Sequence, residues 1–454
     1  MQDLTVGKPT SLIFRFATPM LIGNVFQQVY NITDSIIVGR FLGKEALAAV
    51  GASFPLIFLL ISFVIGIASG TTIIIAQYFG AKNTEKVLRS IDTLYIFLFF
   101  ASILIMVVGI MFSASIFRLI KLPENLIPSA ALYLNIYLTG SIFFFGFNGT
   151  SSILRGLGDS KTPLYFLIIA TVANVFFDLL FIVVFKWGIG GAAWATVIAQ
   201  AGAFITTVLY LNKTHPLIKL TWRKLIWDKD IFKASVRIGL PTGFQQTFVS
   251  IGMIALLRIV NDYGTNVIAA YSVAGRIDGI AGLPAMNFGQ ALSSYVGQNI
   301  GARKMHRVKE GLVATLSMSS LIAVATSIII IVFRHELMTL FINDPVVVKL
   351  GGEYLLIVAS FYIFFSTMFV VGGVMRGAGD TLIPMFITLF SLWLIRIPLA
   401  AILSKYLGVN GIWWAIPIAW FMGMTLSYFY YRTGIWKKKS LIKDPEIIVS
   451  EDII

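Results

Sequence analysis

The chain has 454 residues, of which 57% are apolar and 12% are charged. A soluble domain carries about 25% charged residues, so this composition excludes a water-soluble globular protein and requires a lipid bilayer as solvent. The net charge of +14 would suggest a nucleic-acid partner in a soluble protein, but Lys and Arg collect in the cytoplasmic loops of membrane proteins. We therefore expect no nucleic-acid partner. The absence of Cys excludes thiolate catalysis and Cys metal sites.

Apolar runs bounded by charged residues, Gly or Pro predict twelve membrane-spanning helices, here called spans 1 to 12. In chain order they cover residues 12–38, 46–77, 91–114, 127–154, 161–185, 190–212, 235–257, 266–297, 311–333, 350–374, 381–404 and 410–432. An even number of spans places both termini on one side. Most Lys and Arg lie in the loops of that side, which predicts a multi-pass protein of the plasma membrane with both termini in the cytoplasm.

The two halves of the chain repeat each other at a nearly constant offset, here called the repeat offset. RGLGDSKTP at 155–163 matches RGAGDTLIP at 376–384, and AQYFGAK at 76–82 matches GQNIGAR at 297–303. Two further blocks, which begin at Arg15 and Gly191, match blocks that begin at Arg237 and Gly411, within one position of the same offset. Six spans per half is an even number, so the repeats are parallel and related by an axis along the membrane normal.

This repeat predicts an all-α integral membrane protein of two pseudo-symmetric six-helix bundles facing a central cleft. The expected parts are an N-terminal bundle (1–212), a basic cytoplasmic linker (213–233), a C-terminal bundle (234–435) and a charged cytoplasmic tail (436–454). Rocking of one bundle against the other would give alternating access.

The RGxGDxxxP segments have a local structural interpretation. Gly permits the sharp turn between two spans, Asp caps the next helix, and Pro suits the first helical turn. We favour this role over a direct role in transport.

Two acidic residues, Asp34 and Asp178, fall inside predicted spans, where a charge costs about 2.5–3.5 kcal/mol. Asn174 lies one turn before Asp178, and Thr196 lies at a similar depth in span 6. These oxygens form either a proton site or an oxygen cage for a hard cation such as Na⁺. The alternative is that Asp34 caps or snorkels near the outer surface. Weaker candidates at this site are Tyr30 and Asn148.

Five motifs in order resemble one family of transporters over essentially the whole chain. They are YNITDSIIVGRFLG, AQYFGA, RGLGDSKTP, ANVFFDLLFIV and GIGGAAWAT. The chain resembles the multidrug and toxic compound extrusion (MATE) family, and within it the DinF-like branch. The resemblance implies a V-shaped pair of bundles that expels organic, often cationic or amphipathic, compounds in exchange for H⁺ or Na⁺. It implies cation coupling at Asp34, Asn174 and Asp178 and at Ala192 and Thr196 of span 6.

The C-terminal half does not repeat the acidic residues, because Asp34 and Asp178 align with Ala255 and Leu399. It carries other charges within its spans. Arg276 and Asp278 either pair or contact substrate, and Arg396 is either an internal anchor or a counter-ion. The expected substrate cleft, chosen for adaptable Met, aromatic and polar side chains, consists of Gln27, Gln28, Met253, Arg276, Asp278, Met286, Phe364, Met368 and Arg396.

The favoured function is therefore a secondary multidrug efflux antiporter, with small-molecule drugs and membrane lipids as partners. We expect a monomer with no cofactor beyond the coupling ion. The alternative is a flippase or exporter of a lipid-linked or other endogenous amphiphile, although only two Arg are available within spans to bind phosphate. An enzyme, a channel and an ATP-driven pump are disfavoured, and no GxxxxGK[ST] loop is present.

Overall fold

The computed structural model describes residues 2–215, 217–220 and 225–442. Within these ranges the chain forms helices and connecting turns, without a β-strand. Parts of the predicted linker (216 and 221–224) and most of the predicted tail (443–454) lie outside the described residues.

The first half forms six helices. They are α1 (Pro9–Gly80), α2 (Thr84–Leu119), α3 (Ile127–Thr139), α4 (Ser141–Gly156), α5 (Lys161–Asp178) and α6 (Gly188–Thr214). A π-helical turn, Leu179–Val184, extends α5. Helix α1 is interrupted at Gly43, whose φ of 86° and ψ of −177° are not helical.

The second half forms nine helices in the described residues. They are α7 (Lys229–Asn261), α8 (Thr265–Gly301), α9 (Met305–Val332), α10 (Arg334–Thr339), α11 (Pro345–Ala359), α12 (Tyr362–Gly377), α13 (Leu382–Leu389), α14 (Ile397–Leu407) and α15 (Val409–Thr433). A π-helical segment, Phe390–Arg396, connects α13 to α14, and a 3-10 turn, Ile435–Lys439, follows α15.

The helices account for the twelve predicted spans. Eight helical segments in the described residues are long and apolar enough to cross a membrane, and the bent pairs α3–α4 and α11–α12 raise the number to ten. Helix α1 has 72 residues, which at about 1.5 Å per residue is far too long for one crossing, so its two arms around Gly43 supply spans 1 and 2. Helix α8 is long enough for span 8 with 37 residues, although its sequence is less apolar.

The backbone repeats together with the sequence. Left-handed φ values occur in pairs at Gly43 and Gly264 and at Gly158 and Gly379, and each pair is separated by the repeat offset. Lys82 and Arg303, which also correspond at this offset, have φ values of 57° and 58°. The bends of 52° between α3 and α4 and of 48° between α11 and α12 fall at corresponding positions. Both halves therefore follow the same path, which confirms the predicted internal repeat.

The helices form two compact units that differ from the two halves of the sequence. Among the described residues, the first unit contains residues 2, 18–79 and 83–243, and the second contains residues 3–17, 80–82 and 244–442. The beginning of α1 thus belongs to the second unit, and the beginning of α7 belongs to the first.

Hydrogen bonds hold these exchanged beginnings in place. In the second unit, Leu4 N donates to Gln298 Oε1 at 2.9 Å, and Arg307 Nη2 donates to Gly7 O at 2.8 Å. In the first unit, Asp228 forms an ion pair with Lys86 at 3.3 Å, and its backbone N donates to Thr93 Oγ1 at 3.1 Å.

Close backbone contact adds to these hydrogen bonds in the first unit. A Cβ atom on Gly70 would lie 2.6 Å from Gly239 N, so α7 approaches α1 too closely for any side chain at this position. Glycine is therefore required where the two helices cross.

Candidate functional site

Helices α1, α5 and α6 bring four polar side chains into one buried cluster of the first unit. The exposed fraction is 3% for Asp34, 1% for Asn174, 0% for Asp178 and 5% for Thr196. Tyr30, one turn before Asp34, joins them through a hydrogen bond to Thr196. The structure thus places together five residues that the sequence analysis singled out. Since polar groups are costly inside an apolar bundle, their burial demands internal partners.

The end of α5 determines where Asp178 is placed. The helix changes to a π-helical turn directly after Asp178, with Phe185 N donating to Leu180 O at 2.9 Å. Gly191 on α6 lies against this turn, since a Cβ there would lie 3.1 Å from Phe181 Cβ. Single π-helical turns occur often at functional sites. This one makes Asp178 the last α-helical residue of α5, opposite the small residues at the start of α6.

Hydroxyl and amide groups connect α1, α5 and α6. The hydroxyls of Tyr30 and Thr196 lie 3.2 Å apart, and Thr196 Oγ1 donates to Ala192 O at 3.2 Å. In one orientation, the Asn174 amide nitrogen lies 3.4 Å from Thr196 Oγ1. Turned over, it donates to Asp178 Oδ2 at 2.9 Å while its oxygen accepts from Thr196 N at 3.2 Å. We adopt the second orientation because it gives both amide atoms a partner.

The two carboxyl groups contact each other. The side chains of Asp34 and Asp178 lie within hydrogen-bonding reach of each other. Because an ionised carboxylate only accepts hydrogen bonds, a hydrogen bond between them forms when one of the two groups is protonated. Oδ1 of each residue is buried without a hydrogen-bond partner in the described part of the chain. The pair can therefore share one proton, and its unpartnered oxygen atoms can bind a further proton or a small cation.

Two tyrosines of α3, which the sequence analysis missed, border the acidic pair. Tyr133 lies within electrostatic range of Asp34, Asp178 and Tyr30, and Tyr137 lies close to Tyr30. Their rings stack on each other with centroids 6.5 Å apart. The sequence does mark one of them: a tyrosine occupies the same position in both repeats, as Tyr133 in the first half and Tyr354 in the second.

Asn148, a weaker candidate, makes its described hydrogen bond within its own helix. Its Nδ2 donates to Phe144 O at 2.9 Å in α4. We observe no hydrogen bond between Asn148 and the acidic pair among the described residues.

The second unit has a buried polar cluster of different composition. Tyr354 on α11 donates to Asp278 Oδ2 at 3.4 Å, and the charges of Asp278 and Arg396 interact. Arg396 is 8% exposed, and its Nε has no hydrogen-bond partner within the described ranges. Arg276 is exposed, and the structure describes no ion pair within 4 Å between it and Asp278. The suggested Arg276–Asp278 pairing is therefore not formed, because the carboxylate instead faces Tyr354.

The internal repeat is also visible in comparison with known proteins. A sequence model of the MatE family matches this chain twice, over residues 19–180 and 241–402. The chain belongs to the MatE family. The two matches are equal in length and correspond to the two repeated halves. This identification agrees with the resemblance found in the motifs, while assignment to the DinF-like branch stays a prediction.

Relatives of this MatE-family protein cover nearly its whole length. It is 36% identical over 94% of its length to the probable multidrug resistance protein YoeA of Bacillus subtilis, of which 94% is covered. It is 35% identical over 97% of its length to the probable multidrug resistance protein YpnP of the same organism, of which 99% is covered.

Solved structures support the same fold. The outward-facing structure of a multidrug resistance MATE family transporter of the MOP superfamily superposes with a TM-score of 0.89 at 25% identity, covering 96% of this chain and 98% of that one. This chain is therefore a multi-pass membrane transporter of the MATE fold.

The predicted cleft residues of the MatE-family protein occupy varied environments. Phe364 is partly buried and contacts the Phe421 ring at 5.3 Å, and Met368 is 8% exposed. The exposed members are Gln27, Gln28, Met253, Arg276 and Met286. Their assignment to a substrate cleft stays a prediction.

Proposed function

We propose that this MatE-family protein is a secondary active antiporter that exports organic, cationic or amphipathic compounds in exchange for inward H⁺ or Na⁺. The observation that carries the proposal is the buried Asp34–Asp178 pair with its attached amide and hydroxyl groups. A membrane transporter needs no buried acidic pair for stability alone, since each such charge costs about 2.5–3.5 kcal/mol.

The pair can couple ion binding to a change of conformation. A second proton, or one Na⁺, would remove the remaining negative charge from an apolar site and so change the relative stability of the inward- and outward-open states. An ion shifts such an equilibrium only by its difference in affinity for the two states. We infer that substrate binding in the cleft favours the unloaded state, so that ion entry and drug exit alternate.

Between the two ions, the geometry favours H⁺. Asp34 and Asp178 lie within hydrogen-bonding reach of each other, so one proton can join them, and the Tyr30 and Thr196 hydroxyl groups form a hydrogen bond of 3.2 Å. A Na⁺ ion would need to take oxygen ligands from Asp34, Asn174, Asp178 and Thr196, and would break these contacts. H⁺ needs no such rearrangement.

The substrate class is proposed from the relatives, two of which are named as probable multidrug resistance proteins. We further propose a monomer in the plasma membrane with both termini cytoplasmic, in agreement with the positions of Lys and Arg.

Proteoliposomes test the proposal directly. Ethidium, a cationic dye, is followed in vesicles with an imposed H⁺ gradient, an imposed Na⁺ gradient or neither. We expect the H⁺ gradient to drive dye movement and Asp178→Asn to abolish it. Asp159→Asn, which changes a loop carboxylate outside the pair, is the matched control and should retain H⁺-driven transport.

Two outcomes would contradict the proposal. Unimpaired H⁺-driven exchange in Asp178→Asn would exclude the pair as the coupling site. Dye movement that needs neither gradient would exclude antiport and favour the flippase alternative. Circular dichroism and size-exclusion profiles of both variants establish that each protein is folded.

A further inference from the structure

Arg376, the first residue of the RGAGDTLIP motif, is a partly buried cation, and no ion pair with an acidic residue is formed in the described part of the chain. It occupies the last turn of α12, where its Nη2 donates to Phe369 O at 3.2 Å and its guanidinium lies 6.0 Å from the centre of the Phe369 ring. Gly372 lies beside it, and a Cβ there would be in van der Waals contact with Arg376 Nη1 at 3.4 Å. In the described part of the chain, no carboxylate lies within 4 Å of this guanidinium.

The acid nearest in sequence is directed elsewhere. Asp380, in the same motif, accepts a hydrogen bond from the Tyr430 hydroxyl, and its backbone N donates to Met375 O at 2.9 Å. Among the described residues, the contacts observed for the positive charge of Arg376 are with a carbonyl oxygen and an aromatic face. Such contacts compensate a buried cation less well than an anion does.

A small cavity of about 10 Å³ adjoins the guanidinium within the second unit. The residues that contribute polar groups to its wall are Gln245, Arg376, Thr388 and Ser427. Gln245 Nε2 donates to Thr388 Oγ1 at 2.7 Å, and Thr388 Oγ1 donates to Pro384 O at 2.9 Å. The second N–H of Gln245, the Ser427 hydroxyl and the guanidinium can all donate into the cavity. Within the described ranges, no acidic residue contributes to the wall.

We propose that this cavity binds one monatomic anion of the size of chloride. The sign follows from the guanidinium and the surplus of donors, since a cation would be repelled. The size follows from the volume, because about 10–15 Å³ holds a single water-sized particle and excludes sulfate or a carboxylate compound. A water molecule would satisfy the donors but would supply no negative charge next to the partly buried guanidinium of Arg376.

The first unit does not repeat this site, although it repeats the arginine. Arg155 corresponds to Arg376 at the repeat offset, and its Nη2 donates to Ser152 Oγ at 3.1 Å. Thr388 corresponds to Leu167, which offers no side-chain donor. The anion site is thus specific to the second unit, and Arg155 provides an internal comparison.

Bromide is the direct probe, because it has the charge of chloride and scatters anomalously. Crystals of the full chain grown in bromide should show an anomalous difference peak next to Arg376 and none next to Arg155. Ordinary density of a water without an anomalous peak, when bromide is the halide present, would overturn the proposal.

Thermal unfolding in detergent gives a second, independent measurement. The Tm should rise with chloride or bromide concentration and should not rise with equal concentrations of gluconate or sulfate. Ser427→Ala removes one donor and should weaken the apparent halide affinity about fivefold, the value of one hydrogen bond. Gly372→Ala places a methyl group against the guanidinium and should weaken the apparent halide affinity further.

Thr207→Ala is the matched control, since Thr207 corresponds to Ser427 in the first unit and donates to Ala203 O at 2.6 Å. It should retain the full halide effect. Equal halide stabilisation in Ser427→Ala, Gly372→Ala and Thr207→Ala would overturn the proposal, as would equal stabilisation by gluconate.

Discussion

The two units of this MatE-family protein share a backbone path but differ in their buried charges. The first unit contains two carboxyls in contact, Asp34 and Asp178, whereas the second contains the carboxylate of Asp278 and the guanidinium of Arg396. The positions that correspond to Asp34 and Asp178 are the apolar Ala255 and Leu399. The acidic pair has no counter-charge of its own, so binding a proton reduces its net negative charge. Asp278 and Arg396 carry opposite charges, and together they are neutral without a bound ion.

One residue is common to both clusters. Tyr133 in α3 and its repeat counterpart Tyr354 in α11 are 2% and 1% exposed. Tyr133 lies beside the buried Asp34, and Tyr354 lies beside the partly buried Asp278. The duplicated fold therefore retained a position for a buried acid next to this tyrosine, while the helix that supplies the acid changed. We infer that ion coupling belongs to the first unit and that the charges of the second unit serve its stability or the substrate.

The largest expected effect separates the two units by function. Asp34→Asn should reduce H⁺-driven dye transport to the background level, because the pair loses a titrating group. Asp278→Asn should retain H⁺-driven transport, measured in the same proteoliposomes with equal amounts of reconstituted protein. Loss of H⁺ dependence in Asp278→Asn would place coupling in the second unit and refute the comparison.

The second prediction concerns the stability of the second unit. Asp278→Asn should lower the free energy of unfolding by about 2–3 kcal/mol, because Arg396 keeps its charge but loses the nearby carboxylate. This loss is smaller than the roughly 3–5 kcal/mol expected when a buried pair in direct contact is broken. Denaturant titration in detergent measures this change.

The double variant Asp278→Asn with Arg396→Gln supplies the control for this effect. It should recover part of the loss, since no uncompensated charge remains. Additive losses in the double variant would show that the two charges do not interact.

The smallest expected effect concerns the turn before α7. Asp228 Oδ1 accepts hydrogen bonds from Asp230 N at 3.1 Å and Ile231 N at 3.0 Å, and its carboxylate pairs with Lys86. Partial burial acts to raise the pKa of Asp228, but these N–H groups and the Lys86 ammonium outweigh it, so its pKa is lowered. The ionised form is therefore favoured in the folded protein.

Asp228→Ala should cost about 1–2 kcal/mol at pH 7. Because the folded pKa is lowered, this contribution is fully present above the unfolded pKa of about 3.9 and is lost as the pH falls through the folded value. The Tm difference between Asp228→Ala and the unmodified protein should thus disappear in acid. Asp344→Ala removes a comparable cap from α11 without an ion pair and should show a smaller difference at pH 7.

The sequence predicts the helical fold and much of the candidate site, because long apolar runs and rare intramembrane polar residues are visible in it directly. Asn174 and Asp178 share a helical face by spacing, and the structure places Asp34 and Thr196 beside them. The helix-capping role predicted for the Asp of the RGxGDxxxP segments is confirmed at Asp159. Its Oδ1 accepts hydrogen bonds from Lys161 N and Thr162 N, both at 3.0 Å, at the start of α5.

Other features leave no such signal. The π-helical turn after Asp178 depends on packing against α6, and no local preference in LLFIVV reveals it. Tyr133 and Tyr137 are two of many aromatic residues in apolar spans, so their position beside the acids depends on how α3 packs. The cavity at Arg376 likewise requires Gln245 and Ser427, which are distant in sequence, to meet in three dimensions.

The exchange of the first helical turns has a consequence for synthesis. Leu4 finds its partner Gln298 only after most of the chain has left the ribosome, and the first unit lacks residues 229–243 until α7 has emerged. Neither unit can therefore be completed from its own half of the chain. If the two halves were separate chains, each would have to contribute its first segment to the other, which is domain swapping. An ancestor with a single repeat and this arrangement would therefore have been an obligate dimer.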